Sequence, residues 1–148
     1  MTATGAFITG TLQSIVIIDD QSKAQVQLDG KRRMMEIKLD DELVTSAPID
    51  GGGVVNHQRI PRGCSGTIEV EKANGNFFAI MKQLDQLFYN LQPGRTFTIV
   101  ETINPPTVGG SVEQNTYIGC VFHNYQSGQY TRAAITTPRL EFNGSMAV

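Results

Sequence analysis

Several residue types are scarce in this chain, and each scarcity excludes a class of protein. Trp is absent, and Cys and His occur twice each among 148 residues. Cys64 and Cys120 do not form a C-x-x-C pair, so we expect neither a disulfide-stapled fold nor a thiolate metal centre. We expect Cys120 to be a small core residue and Cys64 a loop residue. No apolar run approaches the ~20 residues that cross a bilayer, so no membrane insertion is expected.

Charge is also sparse. Lys, Arg, Asp and Glu make up 18% of the chain and sum to a net charge of -2. A strongly basic nucleic-acid binder is therefore disfavoured, because dense phosphate neutralisation needs clustered Lys and Arg. The opening segment, MTATGAFITG, lacks the charged region and apolar core of a signal peptide. We therefore expect the chain to stay in the cytoplasm in which it is made.

The most frequent pattern in the sequence is that of β-strands. Alternating apolar and polar residues, or dense β-branched residues, are typical of half-buried strands. In one such segment the alternation places Tyr117 and His123 on one face and Cys120 and Phe122 on the other. We predict a single domain over residues 1–148 with about seven or eight strands around one helix. The predicted strand segments are 11–18, 25–29, 35–40, 67–71, 96–103, 114–125, 130–136 and 139–146.

The helix is predicted over residues 76–91. Asn74 or Asn76 can cap its first turn, and Pro93-Gly94 ends it, because Pro cannot continue the hydrogen-bond ladder. Apolar residues recur at three- and four-residue spacing and form one stripe, which we expect to pack on the sheet. These core-packing residues are Phe77, Ile80, Met81, Leu84, Leu87, Phe88 and Leu91.

The segment 41–66 interrupts the strand pattern with Pro48, Pro61 and a run of three glycines, and we expect no regular structure there. A compact domain seldom tolerates a loop of this length without a role. It is either a solvated loop or an extended arm that orders only against another subunit. Apolar side chains within it favour the arm, in which Arg59 and Arg62 would pair with acidic groups of the adjoining subunit. The predicted inter-subunit residues are Gly51, Gly52, Gly53, Val54, Val55, Arg59, Ile60 and Arg62.

No catalytic constellation is present in the sequence. It contains neither a G-x-S-x-G elbow nor an H-E-x-x-H helix, and no Lys-Ser/Thr follows the glycine run as in a phosphate loop. Asp40, Asp41 and Glu42 lack the alternating spacing of a cation-binding loop, and they more often form a solvated strand end. His57 and His123 have no nucleophile nearby in sequence. We therefore expect no catalytic residue, no cofactor and no metal.

The order of these segments resembles the tail tube protein of contractile-tailed bacteriophages. The first strands end near Leu39 and lead into the arm, which runs through Arg59-Ile60-Pro61-Arg62-Gly63. The strand at 65–70 is followed directly by the helix, and then by strands at 96–103, 117–122 and 130 onward. The last strand is Arg139 to Gly144. The resemblance covers nearly the whole chain, and it rests on the order of segments rather than on one motif.

This resemblance implies two packed antiparallel sheets, as a sandwich or half-barrel, with one flanking α-helix, a fold shared with type VI secretion tube proteins. It further implies a structural virion protein whose copies form hexameric rings, which stack into the inner tail tube. Phage DNA would pass through the lumen without specific binding, past a lining of Gln, Thr, Ser, Asn and acidic residues. The implied partners are further copies of the chain, the tail sheath, the baseplate and the tail terminator. Its place would be the phage tail, assembled in the host cytoplasm.

Two alternatives stay open. One is a type VI secretion-like tube protein, which shares the fold. The other is a small β-barrel module that binds a ligand or single-stranded nucleic acid, which needs basic residues interleaved with exposed aromatics. The region of Tyr117, Tyr125 and Tyr130 offers the aromatics but only Arg132 as a nearby base.

Overall fold

The described part of the chain folds into eight strands and one helix. The structure, a computed structural model, describes residues 13–27, 32–47, 49, 52–71, 76–133 and 136–148. The elements are β1 Gln13–Asp19, β2 Gln25–Gln27, β3 Arg32–Ser46, β4 Asn56–Val70, α1 Asn76–Tyr89, β5 Phe97–Ile103, β6 Glu113–Gln126, β7 Arg139–Gly144 and β8 Met146–Ala147.

All strand pairs are antiparallel and follow the order β2-β1-β5-β6-β7-β4-β3, with β8 pairing to β6. The first part of β6 pairs with β5 and its second part with β7, so β6 belongs to both halves of the sheet. The predicted class, mainly antiparallel β with one helix, is confirmed. The two halves are continuous through β6, and in the described chain the sheet does not close, because β2 and β3 are its edges.

The core lies between the two halves of the sheet. On the β3-β4-β7-β6 half, cross-strand rows bring Ile37, Gly66, Phe142 and Phe122 side by side on the inner face. Gly66 makes room for the Phe142 ring, since a Cβ there would lie 2.7 Å from Phe142 Cζ. Each large apolar side chain buried in this way contributes about 1.5–3 kcal/mol. The buried apolar residues are Ile15, Ile17, Cys64, Ile68, Val70, Phe97, Ile99, Tyr117, Cys120, Phe122, Leu140 and Phe142.

A bulge at Gly119 reverses the alternation of β6. The register moves from Phe97↔Cys120 to Ile99↔Tyr117, so three residue steps on β6 oppose two on β5. Gly119 has a φ of 66°, which costs glycine little and other residues much more. Tyr117 therefore faces the core together with Cys120, and the prediction that they lie on opposite faces is wrong.

The helix α1 ends at Tyr89, two residues before the predicted end. Leu91 adopts a φ of 58°, its N–H donates to Phe88 O at 3.1 Å, and the Gln92 N–H donates to Leu87 O at 2.9 Å. This is a Schellman cap with leucine in the position that usually holds glycine. The predicted cap Asn74 lies outside the described residues.

Only part of the predicted core-packing stripe of the helix is buried. Ile80, Met81 and Leu84 pack against the core, and Leu87 is half-buried. Phe88 is 74% exposed and Leu91 is 92% exposed, so the prediction that these two pack in the core is wrong for the single chain. The last part of the stripe therefore faces solvent. The side chain of Phe77 lies outside the described set.

Two further predictions need correction. Cys64 lies within β4 and is fully buried, so its assignment to a loop is wrong. The predicted strand at 130–136 is also wrong over its described residues, because β6 ends at Gln126 and residues 127–133 and 136–138 form no strand. Tyr130 is exposed in that connection, which leads to β7.

Candidate assembly surfaces

The segment expected to be irregular is the outer part of a long β-hairpin. β3 runs on to Ser46 and β4 begins at Asn56, with continuous pairing from Asp41↔Pro61 to Ser46↔Asn56. The prediction of a segment without regular structure is therefore wrong for residues 41–46 and 56–66. Both faces of these strand ends are exposed, so the sequence has no apolar alternation to reveal them. We call residues 41–62 the hairpin arm.

The hairpin arm leaves the sheet at a bulge formed by Gly63. Between Leu39↔Cys64 and Asp41↔Pro61, three residue steps on β4 oppose two on β3. Gly63 has a φ of 95°, and a Cβ there would overlap the carbonyl oxygen of Gly144. Such a bulge bends the strand and increases its twist, which redirects the hairpin arm relative to the sheet.

The two arginines of the hairpin arm have partners within it. Arg59 Nε donates to Asp41 Oδ2 at 2.7 Å, and Arg62 Nε donates to Glu42 Oε2 at 3.1 Å. That they pair with a neighbouring subunit in an assembly stays a prediction. All four side chains are about half exposed, so each pair contributes roughly 0–1 kcal/mol. The arm is thus ordered by its own ladder and ion pairs.

The described residues at the end of the hairpin arm include three exposed aliphatic side chains. Gly52 and Gly53 have φ values of 62° and 85° and form the turn, with no atom near either Cβ position. Ile49 is fully exposed, Val54 is 61% exposed and Val55 is 46% exposed. Ile60, nearer the sheet, is half-buried, and Gly51 lies outside the described residues. Ile49, Val54 and Val55, which we call the arm tip, expose aliphatic surface that their own chain does not cover.

The opposite surface of the β3-β4-β7-β6 half, which we call the polar face, is mainly polar. Pairing aligns Glu36, Thr67, Glu141 and His123 in one row across four strands. The neighbouring rows are also polar except for Val121, which pairs with Asn143, and Met34, which pairs with Glu69. Period-two alternation along each strand separates this face from the core. The described polar residues of the polar face are Glu36, Lys38, Asp40, Ser65, Thr67, Glu69, His123, Arg139, Glu141 and Asn143.

Hydrogen bonds and ion pairs connect the polar face. Asn124 Nδ2 donates to Glu141 Oε2 at 2.8 Å, and Arg139 Nη2 lies 3.7 Å from Glu141 Oε1. The ring of His123 lies 3.1 Å from Asn143 Nδ2 and 3.7 Å from Glu141 Oε2. The described side chains of this face include four carboxylates and two permanent cations, so the face carries excess negative charge. His57, the other histidine, lies in the hairpin arm 3.1 Å from Thr45 Oγ1.

A buried carboxylate lies on the inner side of the sheet, and the sequence alone did not identify it as special. Glu101 is 5% exposed. Its Oε1 accepts hydrogen bonds from Asn115 Nδ2 at 3.0 Å and Tyr117 OH at 3.3 Å, and its Oε2 accepts one from Gln13 Nε2. Burial, with the nearby Glu101 carboxylate, raises the pKa of Tyr117 well above its usual range. In β5, Phe97, Ile99 and Glu101 are alternate residues, and all three face the core. The position of Glu101 in this alternation is the sequence signal that could have located it.

The two thiols lie close together in the core without being joined. A Cβ at Gly144 would lie 2.6 Å from Cys64 Sγ and 3.1 Å from Cys120 Sγ, so Gly144 leaves the space that both sulfurs occupy. Both thiols are free, and burial raises the pKa of Cys120 to about 12 and also raises the pKa of Cys64. They act as small apolar core residues.

Comparison with known proteins gives no match to any family model and none to any curated protein. Among solved structures, a chain of the anti-feeding prophage cap superposes with a TM-score of 0.71 at 10% identity, covering 100% of this chain and 93% of the matched chain. A chain of the sheath-tube complex of the extracellular contractile injection system PVC, in its extended state, gives a TM-score of 0.70 at 7% identity, covering 100% and 97%. This chain has the tail-tube fold.

A third solved structure also superposes on this chain. It is a chain of the anti-feeding prophage baseplate, with a TM-score of 0.59 and 10% identity. The three matched chains thus come from a cap that terminates a tube, a sheath-tube complex and a baseplate. No helix in the described part of the chain is long and apolar enough to cross a membrane.

Proposed function

We propose that this protein is the tube subunit of a contractile tail, and that six copies form a ring. The observation that carries this proposal is the match over 100% of the chain to a subunit of a sheath-tube complex, of which 97% is covered. A full-length match in both directions, which the cap and baseplate chains share, favours a building block of such a particle rather than a module borrowed for another task.

Ring closure would use the two edges of the open sheet. In the described chain β3 pairs only with β4, which leaves its outer edge over Arg32–Ser46 without a strand partner. The other end of the sheet is β2, which covers only part of β1. Unpaired edges are a liability for a monomer, and pairing unlike edges head to tail generates a closed ring. Edge pairing between neighbours would therefore extend the sheet around a barrel.

The polar face would line the lumen of that barrel. It is the broad surface of the four-strand half that carries polar side chains, and its carboxylates outnumber its cations. A lining with excess negative charge does not hold phosphates, so a nucleic acid can slide past it. We propose on this basis that the tube conducts a phage genome during ejection without binding it specifically.

The hairpin arm would join one ring to the next. It projects from the sheet at Gly63, and its tip exposes Ile49, Val54 and Val55. Its own ladder and ion pairs hold it in an extended shape, so little further ordering is needed when it meets a neighbour. Arg59, Arg62 and Ile60 would then position the arm, while the tip supplies the apolar contact.

The test is a shortened arm that keeps the register of the hairpin. Residues 44–58 are replaced by Asn-Gly, which leaves Leu43 opposite Arg59 as in the native ladder. We expect a folded protein with a nearly unchanged melting temperature, because the core lies elsewhere. Electron microscopy of the same sample should show single rings but few stacked tubes.

Two matched double variants test whether tube length depends on the arm tip itself or on any exposed apolar side chain. Val54→Ser with Val55→Ser should shorten tubes, whereas Val108→Ser with Val112→Ser, two exposed valines of the β5–β6 loop, should leave them at normal length. Tubes of normal length from the shortened-arm protein would contradict the assignment of the arm. Failure of the wild-type protein to form any ring would contradict the proposed function as a whole.

The outer end of α1 is proposed as the contact with the sheath. Phe88, Tyr89 and Leu91 are exposed together at the C-terminus of the helix, on the flank of the sheet. A cluster of exposed aromatic and aliphatic side chains favours a protein partner. Replacing all three by Ser should leave tubes intact and reduce sheath co-assembly. Full sheath assembly on that variant would contradict this contact.

A second function is favoured by the kind of particle that the matched chains belong to. The sheath-tube match comes from an extracellular contractile injection system rather than from a phage. A tube of that kind, or a type VI-like tube, would not carry a genome. Nuclease-protected DNA in purified, loaded particles would support the phage role, and particles that contain protein without DNA would support the injection role.

A further inference from the structure

A cavity of about 390 Å³ lies between α1 and the ends of β1 and β5. Its floor is formed by buried or half-buried apolar side chains, among them Ile17, Leu84 and Phe97. Ala24 lies at its exposed edge. A concave apolar site of this size is suited to receive a few apolar side chains.

The charged groups at the rim of the cavity are bound to each other. Asp19 Oδ2 accepts a hydrogen bond from Arg95 Nη1 at 3.1 Å, and Asp19 Oδ1 accepts one from the Gln21 N–H at 2.9 Å. Both oxygens of this carboxylate therefore have a hydrogen-bond partner within the chain. The free surface that the cavity offers is therefore mainly aliphatic and aromatic, which favours an apolar occupant.

The cavity and the arm tip lie in opposite directions along the strands of the sheet. β5 begins beside the cavity at Phe97, and its other end, Ile103, pairs with Glu113 at the start of β6. β6 runs in the same direction as β4, because each is antiparallel to β7. The start of β4, which leads back to the arm tip, therefore lies at the Ile103 end. In a head-to-tail stack of rings, the tip of one copy faces the cavity end of the next.

We propose that this cavity is the receptor for the arm tip of a second copy in the adjacent ring. This inference rests on the proposed stacking of rings and identifies the surface that the arm meets. The tip supplies exposed aliphatic side chains without a receptor among the described residues of its own chain. The cavity supplies an apolar surface that the described part of the chain leaves open, in the opposite direction along the strands. A heterologous contact between two such unlike surfaces propagates without limit, as a stacked tube requires.

Cross-linking tests this contact directly. Val55→Cys and Ala24→Cys are combined in one chain in which Cys64 and Cys120 are kept, because both native thiols are buried. Assembled tubes are treated with a short thiol-specific cross-linker and separated under denaturing conditions. We expect a ladder of covalent multimers. The control chain, which carries Val108→Cys and Ala24→Cys, should give at least tenfold less multimer.

A second pair of variants tests the cavity without cysteines. Ala24→Leu should fill the mouth of the cavity and reduce the mean tube length at least several-fold, while rings still form. Ala79→Leu, the same change at an exposed position of α1 outside the cavity lining, should leave tube length unchanged. Equal melting temperatures of the two variants would assign the difference to assembly.

The outcomes separate this inference from the proposed function. Tubes that form normally but give no ladder, together with normal tubes from Ala24→Leu, would overturn the cavity as receptor and leave the tube function standing. A wild-type protein that forms no rings or tubes would overturn both. A ladder confined to the Val55→Cys chain, with short tubes from Ala24→Leu, would support both.

Discussion

Single residues determine how the interior of this protein is arranged, and Glu101 is the clearest case. Three neutral donors, from Gln13, Asn115 and Tyr117, surround its buried carboxylate. A buried polar group is tolerated when its hydrogen bonds are made, and losing them costs about 1–3 kcal/mol. Because the donors lie on β1 and β6 and Glu101 lies on β5, this one side chain fixes the three strands relative to one another.

Glu101→Gln is expected to destabilise the protein by about 1–3 kcal/mol. The new amide replaces one acceptor oxygen by a donor, which then faces a donor of the network. Chemical denaturation measures the change in the free energy of unfolding. Glu36→Gln, at an exposed position of the polar face, should change it by less than about 0.5 kcal/mol. Equal effects of the two variants would show that the network is not stabilising.

Asp20 is expected to make stability depend on pH in the acid range. Its Oδ1 accepts from Thr98 Oγ1 at 2.6 Å and its Oδ2 from Thr96 Oγ1 at 2.7 Å, and these bonds lower its pKa. The charged form therefore stabilises the fold above the unfolded pKa of about 3.9, and this stabilisation is lost as pH falls through the lower folded pKa.

The measurement is the melting temperature of the wild type and of Asp20→Asn over a series of pH values. The variant should melt lower at neutral pH, and the difference should shrink as pH falls below about 4, where both side chains become neutral. A difference that stays constant down to pH 2 would contradict this assignment.

Among the elements, the β3–β4 hairpin depends most on one backbone position. Gly63→Ala is expected to destabilise the protein by at least about 2 kcal/mol, because the residue needs a positive φ and its new methyl group meets the Gly144 carbonyl. The matched control is Gly53→Ala in the turn, which also has a positive φ but meets no atom within 4 Å. Thermal unfolding should show a clearly smaller loss for the control. Similar losses would exclude the close approach at Gly63 as the main cause.

At the C-terminus of α1, one substitution is expected to stabilise the protein. Leu91 adopts a left-handed conformation although it is almost fully exposed. Leu91→Gly removes that strain and should raise the free energy of unfolding by about 0.5–1 kcal/mol. Ala79→Gly, inside the helix, should lower it by about 1 kcal/mol. A loss of stability in Leu91→Gly would show that Leu91 makes a contact that outweighs the strain.

For the whole molecule, the sign of charge on the polar face decides what can pass along it. Glu36→Lys would add six cations to each proposed ring on the lumen side, whereas Asp85→Lys makes the same change of charge on the exposed side of α1. We expect purified Glu36→Lys tubes to retain more double-stranded DNA inside, protected from nuclease, than wild-type tubes do. Asp85→Lys tubes should protect no more DNA than the wild type. Equal protection in both variants would contradict the assignment of the polar face to the lumen.

The sequence by itself determined the class of fold and many of its elements. Alternation along 96–103 and 139–144 identified strands that the structure contains, and the stripe through Ile80 and Leu84 identified the helix and its packed side. These patterns are local, because a strand or helix that buries one face must repeat its apolar residues with the period of its own backbone.

Only the tertiary structure decided the features that depend on a partner strand. The bulge at Gly119 changes which side of β6 faces the core, and that shift exists only relative to the register with β5. Strand pairing in the hairpin arm joins residues as far apart in the sequence as Asp41 and Pro61, with no buried face to mark it. The placement of Glu101 depends likewise on donors from β1 and β6. Register, bulges and buried polar networks arise from contacts between distant segments, so no local period in the sequence could encode them.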